Sequence, residues 1–258
     1  MGLIRKILLF IWPSKVVGHY VFLFIVGCLL GVVIEGVFAI FDKGVWENHV
    51  TFVWGYLNIV YGAGAVMSYV VAKKMAKYNI IITFVVYLIL ASVLEWLCGF
   101  IEEVFLNSTS WDYDALGNLT IAKYISVPFS IAWGILGIIF IKILLPPITK
   151  LFMKMKGKGW TIAGWIITVF MVVNLAVSMY AFYRWGAREI VHTEKQYKEV
   201  IKKGGPEAKE IRKVEVPNRE PVYVIDKKPT NGIDKFFDRT YPDEYMHNRY
   251  MEWVILPQ

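Results

Sequence analysis

Charged residues are scarce in most of this sequence. They make up 19% of the 258 residues, against 57% hydrophobic residues, whereas ordinary soluble domains carry about 25% charged residues. The scarcity is uneven, because residues 16–185 are mostly apolar and the chain from Gly186 onward is polar and charged. This composition excludes an ordinary soluble domain for the larger part of the chain.

The sequence also lacks the motifs of several common chemistries. Its two cysteines, Cys28 and Cys98, lie far apart within apolar stretches, and no histidine cluster accompanies them, so a zinc site is excluded. The chain has no Walker A loop, no Rossmann fingerprint and no His-Glu-x-x-His motif. We therefore expect no metal and no cofactor. The net charge of +7 is explained by basic loops that face anionic lipid, so we expect membrane lipids rather than nucleic acid as partners.

Five long apolar runs dominate the rest. They cover about His19–Phe41, Phe52–Ala72, Asn79–Phe100, Tyr124–Leu145 and Trp160–Phe182. About 20 apolar residues suffice to cross a hydrocarbon core as a helix, and lipid cannot satisfy free backbone groups. The sequence therefore predicts an all-α integral membrane protein, with five transmembrane helices in residues 1–185 and a polar C-terminal tail over residues 186–258.

The segments before and between these runs are alternately rich and poor in lysine and arginine. The basic segments carry Arg5, Lys6 and Lys15 before the first run, Lys73, Lys74 and Lys77 in the second gap, and Lys150, Lys154, Lys156 and Lys158 in the fourth. The first and third gaps each have a single lysine beside acidic residues. Because basic loops stay in the cytoplasm, we expect a multi-pass cell-membrane protein with a cytoplasmic N-terminus and an extracytoplasmic tail.

Two carboxylates lie inside the apolar runs. Glu35 ends a stripe with Gly27 and Gly31 on one face of the first helix, and Glu95 lies at a comparable depth in the third run. Tyr61 of the second run is near the same level. An ionised carboxylate at a helix centre costs about 2.5–3.5 kcal/mol. We therefore expect these side chains to share a functional cavity, or else to form hydrogen bonds between helices.

The loop between the third and fourth runs is dense in polar and aromatic residues. It contains Trp111-Asp112-Tyr113, followed by Asn118. These side chains could bind a cation, a sugar or a basic head group. The alternative is a solvated turn capped by Asp and Asn. On the first interpretation the loop folds over the cavity as a lid.

One arginine follows the fifth run. Arg184 lies six residues after Ser178, near the outer end of the predicted helix. Its guanidinium could hold Glu35 or Glu95 with two parallel hydrogen bonds. Alternatively, it extends to the lipid head groups.

Several short motifs together resemble a known family. They are Tyr61-Gly62-Ala63-Gly64-Ala65, Glu95 followed by Gly99, Trp111-Asp112-Tyr113 with Asn118, Ser130, and Trp133-Gly134. With these motifs the chain resembles the putative ABC-transporter permease family of the CmpB type. In the tail, Asp238, Tyr241-Pro242-Asp243-Glu244 and Met246 resemble the closing motif of that family.

The chain departs from the family at some positions. Tyr56 and Ile59 replace prolines, Asp114 replaces a serine, and Ile121 stands where a glycine is expected. The resemblance is thus to a divergent member. It implies a transport role and a separate ATPase subunit. The candidate substrate-binding residues are Glu35, Tyr61, Glu95, Trp111, Asp112, Tyr113, Asn118, Ser130 and Arg184.

Three functions remain open from the sequence. The first is membrane transport, as the resemblance implies, although the predicted cytoplasmic gaps offer little surface to an ATPase. The second is an outer-leaflet enzyme acting on a lipid or envelope precursor, with Glu35 or Glu95 as acid or base. The third is a scaffold subunit. The sequence specifies neither the substrate nor the oligomeric state.

Overall fold

The computed structural model describes most of the chain. It covers residues 16–75, 78–155, 157–188, 202, 211–214, 221–225 and 229–255. Arg5, Lys6, Lys15, Lys77 and Lys156 of the predicted cytoplasmic segments lie outside the described residues.

Long apolar helices form the body of the molecule. They are α1 (Val16–Lys43), α2 (Ile59–Met75), α3 (Ile80–Leu106), α4 (Val127–Ile139), α5 (Leu145–Lys154) and α6 (Lys158–Arg188). A π turn, Phe140–Leu144, joins α4 to α5. Four stretches are long and apolar enough to cross a membrane: Gly18–Lys43, Ile80–Leu106, Val127–Lys154 and Lys158–Arg188. With the shorter apolar helix Ile59–Ala72, they confirm an all-α membrane protein of about five helices.

The second helix begins later than the apolar run predicted. It starts at Ile59 rather than near Phe52, because the preceding residues fold into an irregular loop, 44–58. Gly55 adopts a positive φ of 76°, which interrupts any helix there. Thr51 Oγ1 accepts a hydrogen bond of 2.8 Å from the Ile59 amide, and Asn58 Oδ1 accepts one of 3.0 Å from the Val60 amide. These side chains cap the helix at its observed start.

The loop 44–58 packs against α6. Asn174 Oδ1 accepts a hydrogen bond of 3.2 Å from the Trp54 amide, and Asn174 Nδ2 donates one of 2.9 Å to the Trp54 carbonyl. Ser178 Oγ accepts another of 2.9 Å from the Val53 amide. Irregular backbone is tolerated at membrane depth only when protein groups satisfy it, and these two α6 side chains do so.

Small residues bring the helices together in two pairs. A Cβ atom on Gly62 of α2 would lie 2.4 Å from the Cys28 sulfur of α1. A Cβ atom on Gly137 of α4 would lie 2.2 Å from the Tyr87 ring of α3. Glycine permits this approach because it has no side chain. The α1/α2 pair and the α3/α4 pair are the two units between which the candidate site lies.

Short elements make up the rest of the described chain, and those that pack against the C-terminal ends of α3 and α6 form one end of the bundle, here called the tail end. The structure describes β1 (Ser108–Thr109), a 3₁₀ turn (Asp114–Leu119), β2 (Thr120–Ala122), β3 (Ile125–Ser126), β4 (Ile211–Val214), β5 (Val222–Ile225), α7 (Gly232–Thr240), α8 (Asp243–Arg249) and β6 (Val254–Ile255). The pairs β1–β6, β2–β3 and β4–β5 are antiparallel. In the first, Ser108 lies opposite Ile255, so the tail is paired with the segment that follows α3.

The tail end has its own apolar core. Trp185 of α6 packs there with Met246 and Tyr250 of the tail and with Val50 of the irregular loop. Arg249 of α8 donates a hydrogen bond of 2.8 Å to the Phe52 carbonyl. The tail therefore covers the loop 44–58 and fixes it to the end of α6.

Candidate functional site

Glu95 is a buried carboxylate of α3 held by two neutral donors. Its side chain is 5% exposed. Tyr113 Oη donates a hydrogen bond of 2.7 Å to Oε1, and Trp133 Nε1 of α4 donates one of 3.2 Å to Oε2. Stacking on Phe129, with ring centroids 4.9 Å apart, positions the Tyr113 ring. Neither donor neutralises a negative charge on Glu95.

Burial, and then the nearby Glu95 charge, raise the pKa of Tyr113. The phenol therefore keeps its proton at neutral pH and remains a hydrogen-bond donor. Tyr113 lies in the loop between α3 and α4, so that loop reaches the carboxylate within the bundle. A role of the loop as a lid over a binding cavity stays a prediction.

Glu35 lies across from this group on α1. Tyr61 Oη donates a hydrogen bond of 2.6 Å to Glu35 Oε1, and the Tyr61 ring lies 5.4 Å from that of Trp133. His49 Nδ1 lies 3.8 Å from Glu35 Oε2. The structure thus joins both carboxylates through Tyr61 and Trp133 into one group, here called the polar cluster: Glu35, His49, Tyr61, Glu95, Tyr113 and Trp133.

The sequence interpretation missed His49 as a member of this cluster. A usable signal was present, since a histidine in the short first gap lies near the end of the helix that carries Glu35. The position of the histidine depends on the irregular fold of the loop 44–58, which an apolar run does not predict.

A cavity of about 160 Å³ lies beside the polar cluster, between the two helix pairs. Tyr61 and Glu95 line it, and most of its other lining residues are apolar. Leu30, Ile34 and Leu144 line it as well and are exposed on the apolar surface of the bundle. The cavity therefore opens sideways, where lipid chains would lie, and has its carboxylate within.

The π turn forms part of the cavity wall. Phe140 and Leu144, its first and last residues, both line the cavity. Pro146 and Pro147 lie in the first turn of α5, one residue after the π turn. Proline has no amide hydrogen to donate, so the regular helical hydrogen bonds are interrupted here.

Other predicted site residues have different surroundings. Ser130 Oγ lies 2.7 Å from Ser92 Oγ, in a hydrogen bond between α4 and α3. Asp112 is exposed, and its Oδ1 accepts a hydrogen bond of 2.8 Å from the Asp114 amide. The Trp111 ring lies edge-on to Tyr124, with centroids 6.3 Å apart. The side chain of Asn118 lies outside the described part of the chain.

Arg184 forms the predicted fork, but with a different partner. Its Nε and Nη2 donate hydrogen bonds of 2.9 and 2.6 Å to the two carboxylate oxygens of Asp238. Arg184 Nη1 also lies 3.6 Å from Asp234 Oδ2. The prediction of Glu35 or Glu95 as the partner was therefore wrong. The reason is that α7 lies alongside the last turns of α6 and brings its acids to the arginine.

The family model described as Putative ABC-transporter type IV (ABC_trans_CmpB) matches residues 22–179, more than half of the chain. The chain belongs to this family. The matched region contains the whole polar cluster and ends before Arg184 and the tail. No curated protein and no solved structure matches the chain.

Family membership and the apolar helices together define the protein at a coarse level. It is a membrane protein that resembles a component of a transporter. The resemblance inferred from the motifs is thereby confirmed over residues 22–179. The closing motif quoted for the tail lies beyond this range, so that part stays a prediction.

Proposed function

We propose that the chain is the membrane subunit of an ABC-type transport system that takes an amphipathic cargo from the bilayer. The cargo would enter between the α1/α2 and α3/α4 pairs, with its apolar part in the cavity. Its head group would carry a cation or a hydrogen-bond donor and would contact Glu95. One observation carries this proposal: an apolar cavity, open on the lipid-facing surface, contains a buried carboxylate.

The neutral partners of Glu95 favour a cationic head group. Tyr113 and Trp133 fix both carboxylate oxygens but supply no positive charge. A buried anion without a cation is costly in a bilayer, and an incoming ammonium would offset part of that cost. The mostly apolar lining of the cavity favours an amphipathic cargo over hydrolytic chemistry, which needs water beside the carboxylate.

Sidedness and partners complete the proposal. Lys74, Lys150, Lys154 and Lys158 belong to the end of the bundle opposite the tail. The excess of basic residues makes that end cytoplasmic, so a separate ATPase subunit would bind there and the tail would be extracytoplasmic.

Cysteine labelling tests this orientation. Lys154→Cys should be labelled only from the cytoplasmic side, and Asp112→Cys only from outside. The reverse pattern would overturn this orientation.

Binding in lipid nanodiscs tests the cargo site. The probes are two dansyl-labelled amphiphiles with the same alkyl chain, one ending in an ammonium group and the other in a sulfonate. Energy transfer from tryptophan reports binding, and Trp133 at the cavity is a close donor. We expect the ammonium probe to bind more tightly. Glu95→Gln should weaken its binding about tenfold, because a charge-assisted hydrogen bond is lost.

Glu103→Gln is the matched control. Glu103 is on the same helix and bonds to Lys123 at 2.9 Å, with its side chain 42% exposed. This variant should bind the ammonium probe as the unchanged chain does. Equal binding of the two probes, or equal losses in the two variants, would contradict the proposed site.

A further inference from the structure

The tail helix α7 has two faces of different chemistry. Its inward face carries Asp234 and Asp238, one helical turn apart. Asp234 Oδ1 accepts a hydrogen bond of 2.7 Å from Tyr180 Oη, and Asp238 pairs with Arg184 and Arg188 of α6. Both acids of the helix are thus directed toward α6, and the arginines offset their charge.

The outward face of α7 combines large apolar and basic residues. Ile233 and Phe236 are each 61% exposed, and Lys235 and Arg239 are exposed beside them. A helix face in water normally carries polar residues. Apolar residues with neighbouring cations are typical of a helix that lies in the membrane interface.

The position of α7 along α6 agrees with this composition. Helix α6 has 31 residues, or about 46 Å at 1.5 Å per residue, whereas the hydrocarbon core is about 30 Å thick. With Lys158 at the opposite interface, the last turns of α6 extend into the head-group layer. Those turns contact α7, since the Phe237 ring lies 4.6 Å from the Tyr180 ring.

The lipid-facing surface of α6 continues to the same level. Met179 and Tyr183 are exposed apolar and aromatic side chains of its last turns. Tyrosine is enriched where membrane helices leave the hydrocarbon core. The exposed residues of α7 therefore lie near the level at which the apolar surface of α6 ends.

We infer that α7 is an interfacial anchor. Ile233 and Phe236 enter the boundary between head groups and acyl chains, and Lys235 and Arg239 contact anionic head groups. The ion pairs with α6 hold the helix at that height. The anchor fastens the tail to the bilayer surface, and it does not depend on whether the cavity binds cargo.

The test attaches an environment-sensitive fluorophore at Phe236→Cys in the full chain, reconstituted in nanodiscs. Glu244→Cys, an exposed acidic position of α8, is the matched control. The unsubstituted chain gives the background from Cys28 and Cys98. Three conditions are compared: a nitroxide attached to the lipid head group, aqueous iodide, and no quencher.

We expect a blue-shifted emission at position 236 and stronger quenching by the nitroxide lipid than at position 244. The shift should decrease when anionic lipid is replaced by zwitterionic lipid, and also in a Lys235→Gln/Arg239→Gln background. Quenching mainly by iodide would show a solvated face and overturn the inference. Protection from both quenchers would show that protein covers the face, which would overturn it equally.

Discussion

Two groups of carboxylates, in the polar cluster and at the tail end, differ in what surrounds them. In the polar cluster, Glu95 accepts hydrogen bonds from Tyr113 and Trp133, both neutral. At the tail end, Asp238 lies 2.6 Å from Arg184 Nη2 and 2.5 Å from Arg188 Nη1. Among the described residues no cation is bonded to the first carboxylate, whereas the second is paired with two arginines.

This difference separates a binding role from a structural one. Paired charges that also satisfy each other's hydrogen bonds hold two segments in register, and removing one partner is costly. A carboxylate fixed by neutral donors keeps its attraction for a cation from outside. The comparison assigns the tail-end cluster to docking the tail, and it leaves Glu95 available for the proposed cargo.

The largest expected effect comes from removing a cation at the tail end. Arg188 is buried, and it bonds to Asp238, to Asp243 at 3.1 Å and to the Tyr241 carbonyl at 2.8 Å. Arg188→Ala should lower the free energy of unfolding by about 3 kcal/mol, because the buried Asp243 and the partly buried Asp238 lose a charged partner. An SDS titration followed by tryptophan fluorescence measures it. Arg239→Ala, at an exposed arginine of α7, should leave the midpoint nearly unchanged, and equal losses would contradict the structural role.

A second, smaller loss tests the support of the irregular loop. Asn174 is fully buried and bonds to both backbone groups of Trp54. Asn174→Ala should cost about 1–3 kcal/mol, because those groups lose their partner in an apolar region. The same titration measures it. In the control, Thr168→Ala removes a hydroxyl that bonds within its own helix, to the Gly164 carbonyl. A loss no greater than that of the control would show that Asn174 does not support the loop.

Acid should weaken the docking of the tail on α6. The hydrogen bond from Tyr180, followed by those from Thr230, holds the pKa of Asp234 well below its usual range. Because the folded pKa is lowered, this contribution is complete above the unfolded value of about 4 and is lost as the pH falls further. Unfolding midpoints measured between about pH 7 and about pH 3 should fall only at the acid end.

The matched variant for that experiment is Asp234→Asn. It cannot titrate at this position, so its unfolding midpoint should change less at the acid end. Parallel curves for the variant and the unchanged chain would rule out Asp234 as the source of the acid sensitivity.

The smallest stability effect is expected in the polar cluster. Glu95→Gln keeps a group that can bond to Tyr113 and Trp133 but removes the charge. No cation among the described residues is bonded to Glu95, and an unpaired anion is costly in a bilayer, so the variant should lower the free energy of unfolding by less than about 1 kcal/mol, if at all. Asp238→Asn, the same kind of change at the tail end, should cost more. A larger loss for Glu95→Gln than for Asp238→Asn would reverse the comparison.

Local patterns in the sequence predicted much of the fold. Helices α1, α3, α4 and α6 follow from long apolar runs, because only helices and closed barrels satisfy their backbone groups in a bilayer. Helix α5 was not predicted, since the fourth run ended at Leu145 and the helix continues to Lys154. The apolar run did not predict the residue at which α2 begins. Phe52 and Val53 are as apolar as a helix interior, but Asn174 and Ser178, more than 100 residues away, satisfy an irregular backbone there.

The polar cluster was partly predictable from the position of each residue along its predicted helix. Helical depth alone placed Glu35, Tyr61 and Glu95 at one level, and the structure joins them through Trp133. The partner of Arg184 was not predictable from depth. Asp238 is separated from it by 54 residues, and only the docking of α7 brings the two side chains together.

A cryo-electron microscopy structure in nanodiscs with the dansyl-ammonium probe tests the central claim most directly. We predict probe density between the α1/α2 and α3/α4 pairs, with the ammonium group within about 3 Å of the Glu95 carboxylate and the alkyl chain passing Leu30 and Leu144. The Arg184–Asp238 pair should remain closed. Probe density elsewhere on the bundle, or an ammonium group bound to the acids of the tail end, would contradict the account.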